Sequence, residues 1–216
     1  MASRRTSHEN PVLKVPHYRI RQRRGMARTL SAEQAQELME HFEKFESGRW
    51  VPYFALCLFA GIRPGVPDGE ITKLKPEDVN LGTGLIHISA DVSKVREPRR
   101  IAIQPNLAAW LRAYPLKKFP IVVGNFQKRR AKFKDQFNLT HDVLRHTFIS
   151  MFVAKFRSIG EAAIQAGNSE SIIRRHYLDL KSKEEGEQFF GIVPRHAFEG
   201  SLEKKNDSVS HSAKAA

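Results

Sequence analysis

Residues 50–62 are apolar almost without interruption, running from Trp50 through Tyr53, Phe54, Leu56, Cys57, Leu58 and Phe59 to Ile62. A segment that is apolar on every side has to be surrounded by protein or by lipid. Its 13 residues fall short of a bilayer, which takes roughly 20, and Pro52 and Gly61 lie inside it. The run therefore predicts a helix at the centre of a protein core, stopped at Gly61 and Pro64, and the rest of the chain has to cover it. With 216 residues, 41% of them hydrophobic, the chain is sized for one domain with tails. Cys57, its single cysteine, is in the run, so neither an intrachain disulfide nor a cysteine metal cluster can form. The opening Met1-Ala2-Ser3-Arg4-Arg5 lacks the apolar stretch of a secretory signal, and an intracellular, cytoplasmic protein is the expectation.

Around this run the periodicities are mainly helical. Ser31 followed by Gln34 is a capping-box signature, and Leu30, Ala35, Leu38, Met39 and Phe42 mark one helical face. Residues 70–75 predict a short helix ended by Pro76. Residues 85–88 and 100–103 alternate in the strand manner, with a turn or a short middle strand at 91–98 between them. Helices are then expected over 106–114, 125–133, 141–155 (capped by Thr140), 159–166, 170–177 and 182–190. The order is helices, a small antiparallel sheet and more helices: an α+β fold, mostly α, with a β insert.

Charge is distributed unevenly. Lys and Arg total 36 against 23 Asp and Glu, a net +13, which speaks about partners and not about fold. Residues 1–28 hold eight Lys or Arg and one acid, Glu9, together with Pro11 and Pro16; they read as an extended basic arm. Residues 117–134 hold seven more and no acid. Two such stretches suit contact with a phosphate backbone, the candidates being Arg19, Arg21, Arg23 and Arg24 in the arm and Lys128, Arg129 and Arg130 in the block. A solvated surface is the competing explanation for either. Residues 195–216 carry few large apolar side chains and are expected to be a disordered tail.

Three local patterns carry chemistry when taken together. Ala60-Gly61-Ile62-Arg63-Pro64 puts an arginine at a helix end, with Glu70 a little further on. Leu144-Arg145-His146 puts another near a helix start. Ala166-Gly167-Asn168 is followed nine residues later by Tyr177, and Arg145 and Asn168 are 23 apart. In this order and spacing the chain resembles the catalytic domain of the tyrosine recombinases, the phage integrase family, over about residues 29–190. The family pattern is Gly-Leu/Ile-Arg after a buried helix, a lysine in a β-hairpin and His-x-Leu-Arg-His opening a later helix. A Leu-Gly-His turn and a tyrosine nine residues beyond its histidine complete it. Lys94 matches the hairpin lysine, because Arg99-Arg100-Ile101-Ala102-Ile103 follows it in the family's register.

The resemblance implies a helical catalytic domain at 29–194 with a three-stranded antiparallel sheet insert, of the DNA breaking–rejoining type. It implies a site-specific recombinase or integrase, of a phage or other mobile element, acting as a homotetramer on double-stranded DNA. Arg63 and Arg145 would hold the scissile phosphate, since guanidinium forks are always protonated and match paired oxygens. Tyr177 would attack to form a 3′-phosphotyrosine and Lys94 would act as general acid. Glu70 would orient the first arginine, and His146 would support the site. No cofactor and no metal is called for.

Two positions depart from the pattern. Asp142 stands where the family has histidine, with His141 one residue earlier; on a helix these lie about 60° and 40° to either side of Arg145, so either side chain suits the phosphate side. Asn168 replaces a histidine or tryptophan; its amide still donates a hydrogen bond but lacks imidazole's proton chemistry. The resemblance also implies a helical DNA-clamping domain before the catalytic one, where this chain has the basic arm. Residues 182–190 match the family's C-terminal helix, which docks on a neighbouring protomer through Phe189, Phe190 and Ile192. The competing expectation is a decayed or truncated integrase that only binds DNA. An RNA-binding module ranks last, because the strands show no exposed aromatics.

Overall fold

The computed structural model describes residues 27–65, 69–94, 96–140, 142–177 and 181–195. The expectations for Arg19, Arg21, Arg23, Arg24, His141 and the tail beyond 195 lie outside the described residues.

Helix α1 (Ala32–Lys44) starts at the capping box: the Gln34 amide donates to Ser31 Oγ at 3.2 Å and the Ser31 amide donates back to Gln34 Oε1 at 3.0 Å. Its buried face is Ala32, Ala35, Leu38, Met39 and Phe42. Helix α2 (Val51–Phe59) is buried at every position, as its unbroken apolar sequence requires. It is enclosed by α1, α3 (Pro105–Ala113) and α5 (Val143–Phe156). Gly61 ends it in the left-handed region at φ +63°, and a Cβ there would meet the Phe148 ring at 2.4 Å. Only glycine lets the chain turn that close to α5.

The sheet is antiparallel in the order β1 (Val79–Asn80), β2 (Leu85–Ile88), β3 (Arg99–Ala102), with Val79 opposite Ile86 and Ile86 opposite Ile101. Its third strand is thus upstream of β2, and none of the described residues in 91–98 is in a strand. Asn80 explains the hairpin: its Oδ1 accepts from the Gly82 and Thr83 amides at 2.9 and 3.0 Å, closing β1 onto β2. The short helix expected over 70–75 is a three-residue 3₁₀ turn, Glu70–Thr72. Pro76 keeps Lys75 extended, and Thr72 Oγ1 donates to the Gly69 carbonyl.

Helix α4 (Phe126–Gln136) buries Phe126 and Phe133 and leaves its basic residues outside. Helix α5 begins at Val143, after Asp142 and not after Thr140; Asp142 takes φ +59° and caps with no side-chain hydrogen bond. Helices α6 (Ile159–Ala166) and α7 (Glu170–His176) follow, α6 packing on β3. Gln165 Oε1 accepts from the Ala102 amide at 2.9 Å across that contact.

Helix α8 (Lys183–Phe190) follows α7 in chain order. It packs inside its own chain, on α5 and α1, with Phe189 5.1 Å from Phe59 and Phe190 beside Phe148, Phe152 and Phe156. Gly186 permits this, since a Cβ there would come within 2.9 Å of the Lys155 nitrogen and 3.0 Å of the Met151 carbonyl. Phe189, Phe190 and Ile192 are core residues of this protomer.

Candidate active site

Arg145 occupies the first turn of α5 and is almost wholly buried, at 2% exposure. Its Nη1 donates to the Gly61 carbonyl at 2.6 Å, while Nη2 reaches the Ala166 carbonyl and, at 3.2 Å, Asn168 Oδ1. One guanidinium thereby ties the end of α2 to the α6–α7 turn. Burial lowers its pKa to about 10, the Arg63 charge adding to the effect and Glu70 opposing it; it remains a cation at neutral pH.

Arg63, half-buried, approaches from the other side of the Gly61 turn. Its Nε lies 3.7 Å from Glu70 Oε1 and its Nη1 4.0 Å from Asp142 Oδ2. The Asp142 carboxylate is thus turned toward an arginine. Glu70 is buried, and both its oxygens are taken by a residue outside the expected site. Arg99 on β3 donates to them through Nη1 and Nη2 at 2.9 and 2.7 Å. Arg63 receives from Glu70 mainly a backbone contact, its amide donating to Oε2 at 3.2 Å. Orienting the first arginine is therefore a shared duty, and Arg99 is the closer partner. The sequence signal for Arg99 was there: a charged side chain in a strand that also carries the buried Ile101. Burial alone would raise the Glu70 pKa, but the Arg99 fork, the Arg145 charge and the Arg63 amide hold it below the usual carboxylate range. Arg99 Nε also donates to the Gln165 carbonyl at 3.2 Å, fixing the sheet against α6.

Tyr177 caps the end of α7 at 5% exposure. Its hydroxyl is 2.5 Å from Nδ1 of His146, the neighbour of Arg145 on α5. Burial raises the phenol's pKa above its ordinary value, the Arg145 charge working against that and Asp142 with it. Asn168 uses its oxygen on Arg145, so the donor it has left is the Nδ2 amide. Arg63, Arg99, Gly167 and Asn168 line an open cleft of about 790 Å³, together with Ile164 and Ile172.

Of the expected site residues, the fold gathers Arg63, Arg145, Asn168, Asp142, His146, Glu70 and Tyr177. Lys94 it leaves apart: exposed on the β2–β3 connection, it lines a separate groove with Lys73, Ser93 and Arg96. On the basic helix α4 the three candidate cations have different surroundings. Arg129 pairs with Glu46 and lies over the Trp50 ring at 5.2 Å. Arg130 Nε donates to the Tyr53 hydroxyl at 2.7 Å, and that hydroxyl donates on to the Pro64 carbonyl at 3.2 Å. Both arginines are engaged with the protein, and Lys128 is the exposed one of the three. Among the described residues no three His, Cys, Asp or Glu side chains converge as metal ligands, and no helix is long and apolar enough to cross a membrane.

A mostly helical chain with a three-stranded antiparallel sheet between α2 and α3 has the fold of a recombinase catalytic domain. Among solved structures, the crystal structure of XerA recombinase matches it with a TM-score of 0.55 and 18% sequence identity. The match covers 79% of this chain and 67% of that one. No protein-family model matches the sequence, and no curated protein does.

Proposed function

We propose that this chain is a tyrosine-class DNA recombinase, a strand transferase that cuts and rejoins one strand at a time through Tyr177. The observation that carries the proposal is the 2.5 Å contact between Tyr177 and His146, set one residue from the buried Arg145. A phenol with a raised pKa is a poor nucleophile, and a base within hydrogen-bond reach is what makes it a competent one.

In the proposed reaction the Arg63 fork, the Arg145 guanidinium and the Asn168 amide hold the nonbridging oxygens of the scissile phosphate. Their donors meet the charge that grows there in the pentacoordinate transition state. The Tyr177 oxygen attacks phosphorus and its proton passes to Nδ1 of His146, which requires the tautomer protonated on Nε2. The bond to the 5′-oxygen breaks, and Lys94, carried in by the β2–β3 connection as DNA seats, protonates the leaving oxygen. The product is a 3′-phosphotyrosine. Attack by another 5′-hydroxyl reverses the same steps and releases Tyr177, so the bond energy is kept and no nucleotide cofactor enters. Residues 29–194 would form the catalytic domain, the arm at 1–28 would follow the DNA backbone, and the assembly would be a tetramer on two duplexes.

The test is covalent trapping on nicked suicide duplexes in EDTA. A protein–DNA adduct that disappears in Tyr177→Phe, while DNA affinity is retained, is the expected result. DNA binding with no adduct on the cognate site would replace this reading with that of a protein that binds DNA without cutting it.

A further inference from the structure

The second groove has no part in the chemistry so far beyond contributing Lys94. It is formed by Lys73, at the end of the 3₁₀ turn that begins with Glu70, and by Ala90, Asp91, Ser93, Lys94 and Arg96 of the β2–β3 connection, and it encloses about 490 Å³. Three cations and one carboxylate line it. Among the described residues none of the three cations is ion-paired, although Arg63, Arg99 and Arg129 elsewhere all are. Ser93 is the second observation. It is 4% exposed, its Oγ is buried, and among the described residues that hydroxyl has no hydrogen-bond partner. A buried hydroxyl left without a partner costs stability, and one placed among unpaired ammonium and guanidinium groups is suited to donate to an oxyanion. The turn is held in place by the Arg96 amide donating to the Ser93 carbonyl at 3.2 Å.

We propose that this groove binds a phosphate group, held by Lys73, Arg96 and the Ser93 hydroxyl, and that its occupant is a DNA backbone phosphate other than the scissile one. The choice of DNA rests on the function proposed above; the phosphate chemistry does not. A strand seated there would bring the β2–β3 connection, and Lys94 with it, to the DNA in a fixed register, so the groove would act as a positioning site for the general acid.

The experiment compares the full chain with Lys73→Gln/Arg96→Gln and with Ser93→Ala, measuring duplex affinity across a salt series and thermal stability. Releasing one phosphate from the protein reduces the slope of log affinity against log salt by about 1, and that is the expected result for the double variant. Ser93→Ala should weaken DNA binding at unchanged or slightly raised melting temperature, whereas a merely structural serine would lower it. A steep wild-type slope that is the same in the double variant overturns the proposal. If the wild-type chain fails to bind DNA, the function proposed above fails separately, and inorganic phosphate is then titrated while amide resonances are followed. Shifts at Ser93 and Arg96 that vanish in the double variant retain a phosphate site whose occupant is a free anion. Absence of shifts overturns it.

Discussion

His146 and Tyr177 are 31 positions apart in sequence, yet the fold brings them within 2.5 Å, and the proposed chemistry rests on that contact. Replacing His146 by Asn removes the proton acceptor but keeps a polar side chain of similar reach. Adduct formation in single-turnover gels should slow by about a hundredfold with DNA affinity unchanged; an equal loss of both would make His146 a packing residue. Glu70 carries a prediction of a different kind. Its pKa is lower in the folded protein than in the unfolded chain, so the stability it contributes is present above about pH 4.3. That stability disappears as pH falls through the depressed folded value. Glu70→Gln should therefore flatten the fall of melting temperature as pH drops below about 4.3. At neutral pH the variant should be less stable by about 3–5 kcal/mol, because Arg99 and Arg63 would be deprived of their shared counter-charge in a buried place.

Among the elements, α2 and the Gly61 turn set the geometry that Arg63 and Arg145 share. Gly61→Ala would meet both the left-handed backbone and the Phe148 ring. The backbone alone costs about 1–2 kcal/mol, and the ring has to move as well. Urea unfolding should show a destabilisation of at least that size, accompanied by slower adduct formation, since the Gly61 carbonyl is an acceptor for Arg145. The helices were largely legible in sequence because their signals are local: the Ser31–Gln34 box, the unbroken apolar run of α2, the face of α1. What escaped was set by distant partners. β1 spans Val79–Asn80 and has no alternation of its own, existing because β2 offers it a ladder. The Arg99 fork on Glu70 joins positions 29 apart, which no periodicity reports. For the site, Gly61-Ile62-Arg63, Leu144-Arg145-His146 and Tyr177 announced themselves by spacing. Lys94 was placed by register alone, and the fold sets it in a groove away from the rest.

At the scale of the whole molecule, α8 is the element that closes the structure. Phe189 and Phe190 complete a cluster begun by Phe59, Phe148 and Phe152. Truncating a buried phenylalanine costs about 3–5 kcal/mol, against a total stability of roughly 5–15 kcal/mol for a domain. Phe189→Ala/Phe190→Ala should consequently leave the chain unfolded at room temperature by circular dichroism, with the proposed DNA cleavage lost along with the fold. Retained ellipticity would show that α8 is an accessory. The closing helix also has a consequence for how the molecule is made. A ribosome delivers α2 long before α8, with α5 only shortly ahead of it, so Phe59 waits through most of synthesis for its partner Phe189. The nascent chain is then a half-built shell that offers its stickiest surface to chaperones, and the final compaction has to wait until α8 has left the exit tunnel.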